Sequence, residues 1–162
     1  MKLTEFVSEI CQSETSVLDK IDFIQPGQRR YQNELLDMFN EAVSSKDILM
    51  LDCLLIIAER DGLDDIYTEV LCSILQQEWH KSHEDIISLL EEIRDPKSVD
   101  CVYRATFLEK HNMDEEPAPL TIKCIWALAA INTKAAFEKI QILRASINVS
   151  IQEAAEAYLN KT

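Results

Sequence analysis

The sequence predicts an all-α protein: a single domain over residues 1–162, built as an α-solenoid-like stack of antiparallel helix pairs. Three observations predict it. Only two glycines and four prolines occur in 162 residues, which leaves little material for hairpins or long loops. Apolar residues recur every three or four positions, the spacing that lines one face of a helix. Small residues (Ala127, Ala129, Ala130, Ala135, Ala136, Ala154, Ala155 and Ala157) crowd the corners and facing positions, where they let helix backbones approach closely. The length suffices for one substantial core.

Residues 1–45 read as N-terminal capping helices. Leu3, Phe6, Val7 and Ile10 make a first helix, and Val17, Leu18, Ile21, Phe23 and Ile24 a second, ended by Pro26-Gly27. Tyr31, Leu35, Leu36, Phe39 and Val43 set out a third over about residues 28–44. The helix pairs are expected over residues 46–162, starting with a fourth helix at 48–60 that is apolar nearly all round and therefore central. At the corner Asp61-Gly62-Leu63-Asp64-Asp65, Gly62 supplies a C-terminal cap and Asp64 an N-cap. Ile66, Tyr67, Val70, Leu71, Ile74 and Leu75 carry the fifth helix to about Trp79.

Ser82 reads as the N-cap of the sixth helix, with Asp85 at the capping-box position and Ile86, Ile87, Leu89, Leu90 and Ile93 as its apolar face. Pro96 suits the first position of the next helix, which Val99, Val102, Ala105, Thr106 and Leu108 carry. A polar loop is expected from His111 to Pro119. Three helices close the chain, the clearest stretch of all: Leu120 to Ile131, a run through Phe137, Ile140 and Leu143, and Ile151 to Leu159.

The corners repeat. Residues 91–99 overlay residues 129–137 at an offset of 38, and Thr121-Ile122 overlays Ser150-Ile151 at an offset of 29. Helix pairs at such a period point to a solenoid. Ala127-Leu128-Ala129-Ala130-Ile131 followed by Ala135-Ala136-Phe137, and Ile93-Arg94-Asp95-Pro96-Lys97-Ser98-Val99, resemble the HEAT-like repeats of the phycocyanobilin-lyase type over roughly residues 48–160. The lyases of that family act on bilins; no residues here match a bilin site, so the resemblance implies the fold and not the activity.

Charge is the strongest compositional feature. The net value is −13, and it is uneven: residues 1–116 hold 26 acids against 11 bases, whereas residues 117–162 hold 3 acids against 5 bases. Such a surface repels phosphates, which excludes direct binding to nucleic acid or an anionic membrane, and attracts a basic protein. The bland alternative is that the charge serves solubility. The Met-Lys-Leu-Thr-Glu start turns acidic instead of entering an apolar run, the pattern of a chain without a secretory signal, so a cytoplasmic location is expected. Five cysteines stand singly in apolar helical patterns, which predicts five buried free thiols.

Catalytic signatures are sparse. His80 and His83 lie three apart beside Glu84, but with no third ligand in sequence; His111 falls in the polar loop. No glycine-rich loop or nucleophile elbow occurs, so no catalytic residue, metal or cofactor is assigned. What remains is a binding protein. In stacked pairs the second helix usually lines the partner-facing surface. On the seventh helix that leaves Asp100, Tyr103, Arg104 and Phe107 as a stripe, and around the fifth Asp64, Asp65, Tyr67 and Glu69 offer the analogous set, with Asp61 of the same corner beside them. The competing reading makes the aromatics packing residues. A small acidic helical protein of this kind is similar to bacterial immunity proteins of contact-dependent or polymorphic toxin systems. That resemblance implies a monomer that forms a heterodimer with a basic, nuclease-type toxin. The alternatives are a HEAT-like scaffold or adaptor, and an enzyme whose site the sequence does not reveal.

Overall fold

A computed structural model describes residues 1–13, 16–109 and 118–161. The chain is all-helical among them. Helix α1 spans Leu3–Gln12 and α2 Val17–Lys20, the latter continued by a 3-10 turn at Ile21–Phe23. Then come α3 (Gln32–Ser45), α4 (Ile48–Asp61), α5 (Thr68–Leu75) behind a 3-10 turn at Asp65–Tyr67, and α6 (His83–Ile93). A 3-10 turn at Pro96–Ser98 leads into α7 (Val99–Ala105), and α8 (Pro119–Ile131), α9 (Lys134–Leu143) and α10 (Val149–Leu159) complete the order. The expected loop from His111 falls almost wholly outside the described residues; its last residue, Pro119, opens α8, where its missing N–H is no loss.

The helices pack as hairpins: α3 on α4, α5 on α6, α7 on α8 and α9 on α10. Helices α3, α5, α7 and α9 touch in succession as one layer, and α4, α6, α8 and α10 as the other, with α1 laid along α4. This pairing is offset by one helix from the expected one. The corners after α4 and α6 join successive hairpins rather than closing them, and α3 belongs to the first pair. The centre also moves. Helix α8 packs against α6, α7, α9 and α10 and buries Cys124, Ile125, Ala127 and Leu128 completely. Helix α4 is instead partly a surface helix, with Leu49 64% exposed.

The repeated corner is real in geometry. Lys46, Arg94 and Asn132 each end a helix in the left-handed conformation, at φ of 52°, 56° and 58°. The next residue of each corner caps the helix or turn that begins there. Asp47 accepts from the Met50 N–H at 3.0 Å, Asp95 from the Lys97 N–H at 3.0 Å, and Thr133 from the Ala136 N–H at 3.2 Å. Arg94-Asp95 and Asn132-Thr133 are the pair that the 38-residue offset superimposes. Non-glycine residues in this conformation cost roughly 1–2 kcal/mol each, which the helix–helix burial around them must offset.

Two helices take their caps from far away. The third helix starts four residues later than expected, because residues 27–31 run across the end of α4. There the Asp61 carboxylate is fully buried and accepts from the N–H groups of Arg30 and Tyr31, both at 2.9 Å. Gly62 permits that crossing: a Cβ on it would lie 3.0 Å from the Gly27 Cα and 3.0 Å from the Arg29 Cγ, and its φ is +115°. Similarly, the Glu109 carboxylate reaches the head of α8, accepting from Leu120 N at 3.2 Å and from Thr121 N and Oγ1 at 2.9 Å.

The five-thiol expectation is corrected. Cys72 of α5 and Cys101 of α7 form a disulfide, which ties neighbouring helices of one layer across a sequence separation of 29. Their single placement in sequence hid a pairing that only helix stacking creates. Cys11, Cys53 and Cys124 are free, and burial pushes the Cys53 thiol up to about 12.

These contacts set two expected outcomes. Replacing Asp61 by Ala leaves the Arg30 and Tyr31 N–H groups at the head of α3 without their acceptor and should cost about 2–4 kcal/mol, read as a Tm drop of about 10 °C. Denatured protein should release three thiols to a thiol reagent without reductant and five with it; five without reductant would remove the disulfide from the account.

Candidate functional site

The predicted partner residues divide between core and surface. Asp61 and Tyr67 are withdrawn from any interface, since both are fully buried. Asp61 serves the α3 cap, and the Tyr67 ring packs edge-on against Phe39 at 6.3 Å. Burial, and then the nearby Asp61, push the Tyr67 phenol well above its ordinary range, and its hydroxyl has no hydrogen-bond partner among the described residues. An aromatic at a corner is drawn inward by the apolar area it buries, so the packing reading holds for this residue. Asp64 is half-buried and committed. It accepts from the Ile66 N–H at 3.0 Å and the Gln32 Nε2 at 2.8 Å, and lies 3.3 Å from the Arg29 guanidinium.

The remaining residues come together. Asp65, Asp100 and Arg104 line a groove of about 580 Å³ between α5 and α7, with Glu69, Asp95 and Lys97 on its walls and the Cys72–Cys101 bridge in its lining. Tyr103 and Phe107 stand edge-to-face at 5.4 Å, with Phe107 71% exposed. The Lys139 ammonium of α9 lies 4.6 Å from the Tyr103 ring centre and 3.8 Å from Asp100. This groove therefore answers much of its own charge: Lys97, Arg104 and Lys139 sit beside its acids.

A second groove, of about 620 Å³, opens between α4 and α6 in the other layer, and sequence reasoning missed it. Its rims carry Asp52 and Glu59 from α4 and Asp85 and Glu92 from α6, over a floor of Leu55, Ile56 and Leu89. Among the described residues Lys81 is its only basic lining residue. Among the described residues no ion pair reaches Asp52, Glu59, Asp85 or Glu92. A signal was available: residues 52 and 59 interrupt an apolar helix at a seven-residue spacing, as do 85 and 92, which marks one stripe on each helix. The apolar mass of residues 48–58 masked it.

One end of this groove is fixed by the 76–82 segment, where Ser82 forgoes the expected side-chain cap. Its Oγ donates to Asp52 Oδ1 at 2.5 Å instead. Its N–H donates to His80 Nδ1 at 3.1 Å, and His80 Nε2 lies 2.9 Å from the Ile74 carbonyl oxygen. These partners assign a neutral ring protonated on Nε2. His83 stacks on it at 4.3 Å and places its own Nε2 2.8 Å from the Gln77 carbonyl oxygen. Ser82, His80 and Asp52 do not form a catalytic triad: the hydroxyl donates directly to the carboxylate, and the imidazole receives the Ser82 amide, so it is not placed to take the hydroxyl proton. Both imidazoles direct a nitrogen to a carbonyl oxygen, and no cluster of three metal-ligating side chains occurs among the described residues.

No helix of the described residues is long and apolar enough to cross a membrane. Compared with known proteins, the chain matches no family model, no curated protein and no solved structure.

Burial holds His80 below its ordinary pKa, reinforced by His83 and opposed by the Ile74 hydrogen bond and Asp52. With the folded pKa below the unfolded one, the unfolded chain takes up the proton first as pH falls below about 6.5. This contribution to stability is complete above that pH and is lost below it, by no more than about 1.4 kcal/mol per pH unit. Urea unfolding at pH 7.5 and 5.5 should therefore show a smaller pH-dependent loss for His80→Asn than for the parent, whatever the variant's overall stability.

Proposed function

We propose that the protein is a non-catalytic binding module for a basic protein, and that its specific form is an immunity protein covering the active site of a nuclease-type toxin. One observation carries the reading: the α4–α6 groove presents four carboxylates without ion-pair partners among the described residues, over an apolar floor. Like charges held together on a surface cost free energy in the unbound protein and gain it when a cationic partner arrives. A nuclease site is positive because it holds phosphate, so an acidic groove complements it. The immunity form rests on the overall charge and the resemblance of the helical pattern.

A scaffold or adaptor binding a basic partner shares the groove and differs only in what the partner does. Capture from native lysate at low salt, followed by binding kinetics on the purified partner, tests the reading. The partner should be basic, and association should slow by ~10-fold or more between 50 and 500 mM salt. Asp85→Lys/Glu92→Lys should slow association further while leaving Tm within a few degrees, since both residues are exposed. A neutral or acidic partner, or a salt-independent rate, would overturn the basic-partner proposal. Growth arrest by the partner alone, relieved by co-expression, separates the immunity protein from the scaffold.

A further inference from the structure

We infer that the α4–α6 groove takes an amphipathic helix of the basic partner, laid along the groove with cations flanking its apolar stripe at i and i+7. The inference rests on the basic-partner reading and adds the form of the docking element.

Three features carry it. Both walls are helices, whose backbone groups are spent internally, so they offer no ladder to an extended segment. An occupant of an apolar floor must then satisfy its own backbone, which a helix does. The rim charges are in matching register as well. Asp52 and Glu59 are two turns apart on one wall and Asp85 and Glu92 two turns apart on the other, about 10.5 Å in each case. A helix lying between them meets each pair with Lys or Arg seven residues apart on its two flanks.

The third feature is apolar continuity. Asp52 and Ile56 are shared with a neighbouring hollow of about 300 Å³ on the α1–α2 side of α4, lined also by Ile10, Ser13, Ser16, Val17, Leu49 and Cys53, so a mainly apolar surface adjoins the acidic groove. In that hollow Leu49 stands 64% exposed. The trough thus has an acidic half and an apolar half, and the fitting helix is cationic along one part and apolar beyond it. Its length along α4, from Leu49 to Glu59, calls for about three turns of partner helix.

The probe is a synthetic 18-residue helical peptide with a Leu stripe, flanking Lys or Arg at i and i+7, and an apolar end. It is compared with a peptide of identical composition whose cations are moved onto the stripe. The patterned peptide should bind at least tenfold more tightly. Asp85→Lys/Glu92→Lys should weaken it at least tenfold and Leu49→Ser several-fold. Ile142→Ser, an exposed apolar site on α9, and Asp65→Lys/Glu69→Lys in the α5–α7 groove should leave it unchanged. Equal, salt-dependent binding of both peptides would overturn the helix-in-groove mode while leaving the basic-partner reading standing. Loss of binding on the α5–α7 substitutions instead would overturn the site. If neither peptide binds while a basic protein is captured from lysate, the helix is not the docking element.

Discussion

The buried carboxylate of Asp61 sets the phase of the stack. It holds the N–H groups of Arg30 and Tyr31 at the head of α3, and the Arg29 N–H meets the Asp61 carbonyl oxygen at 2.6 Å. Arg60 Nε donates to the Ile24 carbonyl at 3.0 Å and an Arg29 guanidinium nitrogen to the Leu63 carbonyl at 2.9 Å, so the same knot fastens both sides of the crossing. Because the 27–31 strap is pinned across the end of α4, α3 must start there and run back along α4. That makes α3–α4 the first hairpin, and every later pair inherits the offset. A buried carboxylate is tolerated only with its hydrogen bonds complete, so the cap and the crossing stand or fall together.

Much of the acidity of this chain is structural. Asp47, Asp61, Asp64, Asp95 and Glu109 all accept from backbone N–H groups at helix or turn starts, where the helix dipole favours a negative charge. Others meet cations: Glu9 with Lys20, Glu84 with Lys123, Asp100 with Lys139. The net charge by itself therefore overstates what is free to attract a partner. The α4–α6 groove stands out because, among the described residues, Glu59, Asp85 and Glu92 have neither an ion pair nor a capping role, and Asp52 holds only the Ser82 hydroxyl. The α5–α7 groove, by contrast, balances its acids with cations from its own walls and from α9.

The candidate site was only half legible in the sequence. Asp100, Tyr103, Arg104 and Phe107 lie on α7 and its end as their spacing requires, and Asp65 joins two of them in one groove. Tyr67 looked equivalent to Tyr103 by position, yet one is fully buried and the other half-buried. The difference is one of place and cover: Tyr67 ends the 3-10 turn before α5, the position Ser98 holds before α7, and meets the Phe39 ring of α3, whereas Tyr103 lies within α7 and meets the Lys139 ammonium of α9. No local pattern encodes that cover.

The sequence by itself determined the helical class, the placement of most helices and the corner chemistry. Those depend on interactions a few residues apart: apolar spacing, capping side chains, and the left-handed residue at a helix end. Tertiary structure decided which helices pair, which caps come from Asp61 and Glu109 far along the chain, that Cys72 meets Cys101, and that four carboxylates face one another across α4 and α6. Each of these is a contact between segments that sequence periodicity treats as independent. It is fixed only when burial of the apolar stripes chooses one stacking of the helices, and that choice is made by the summed packing of the whole core.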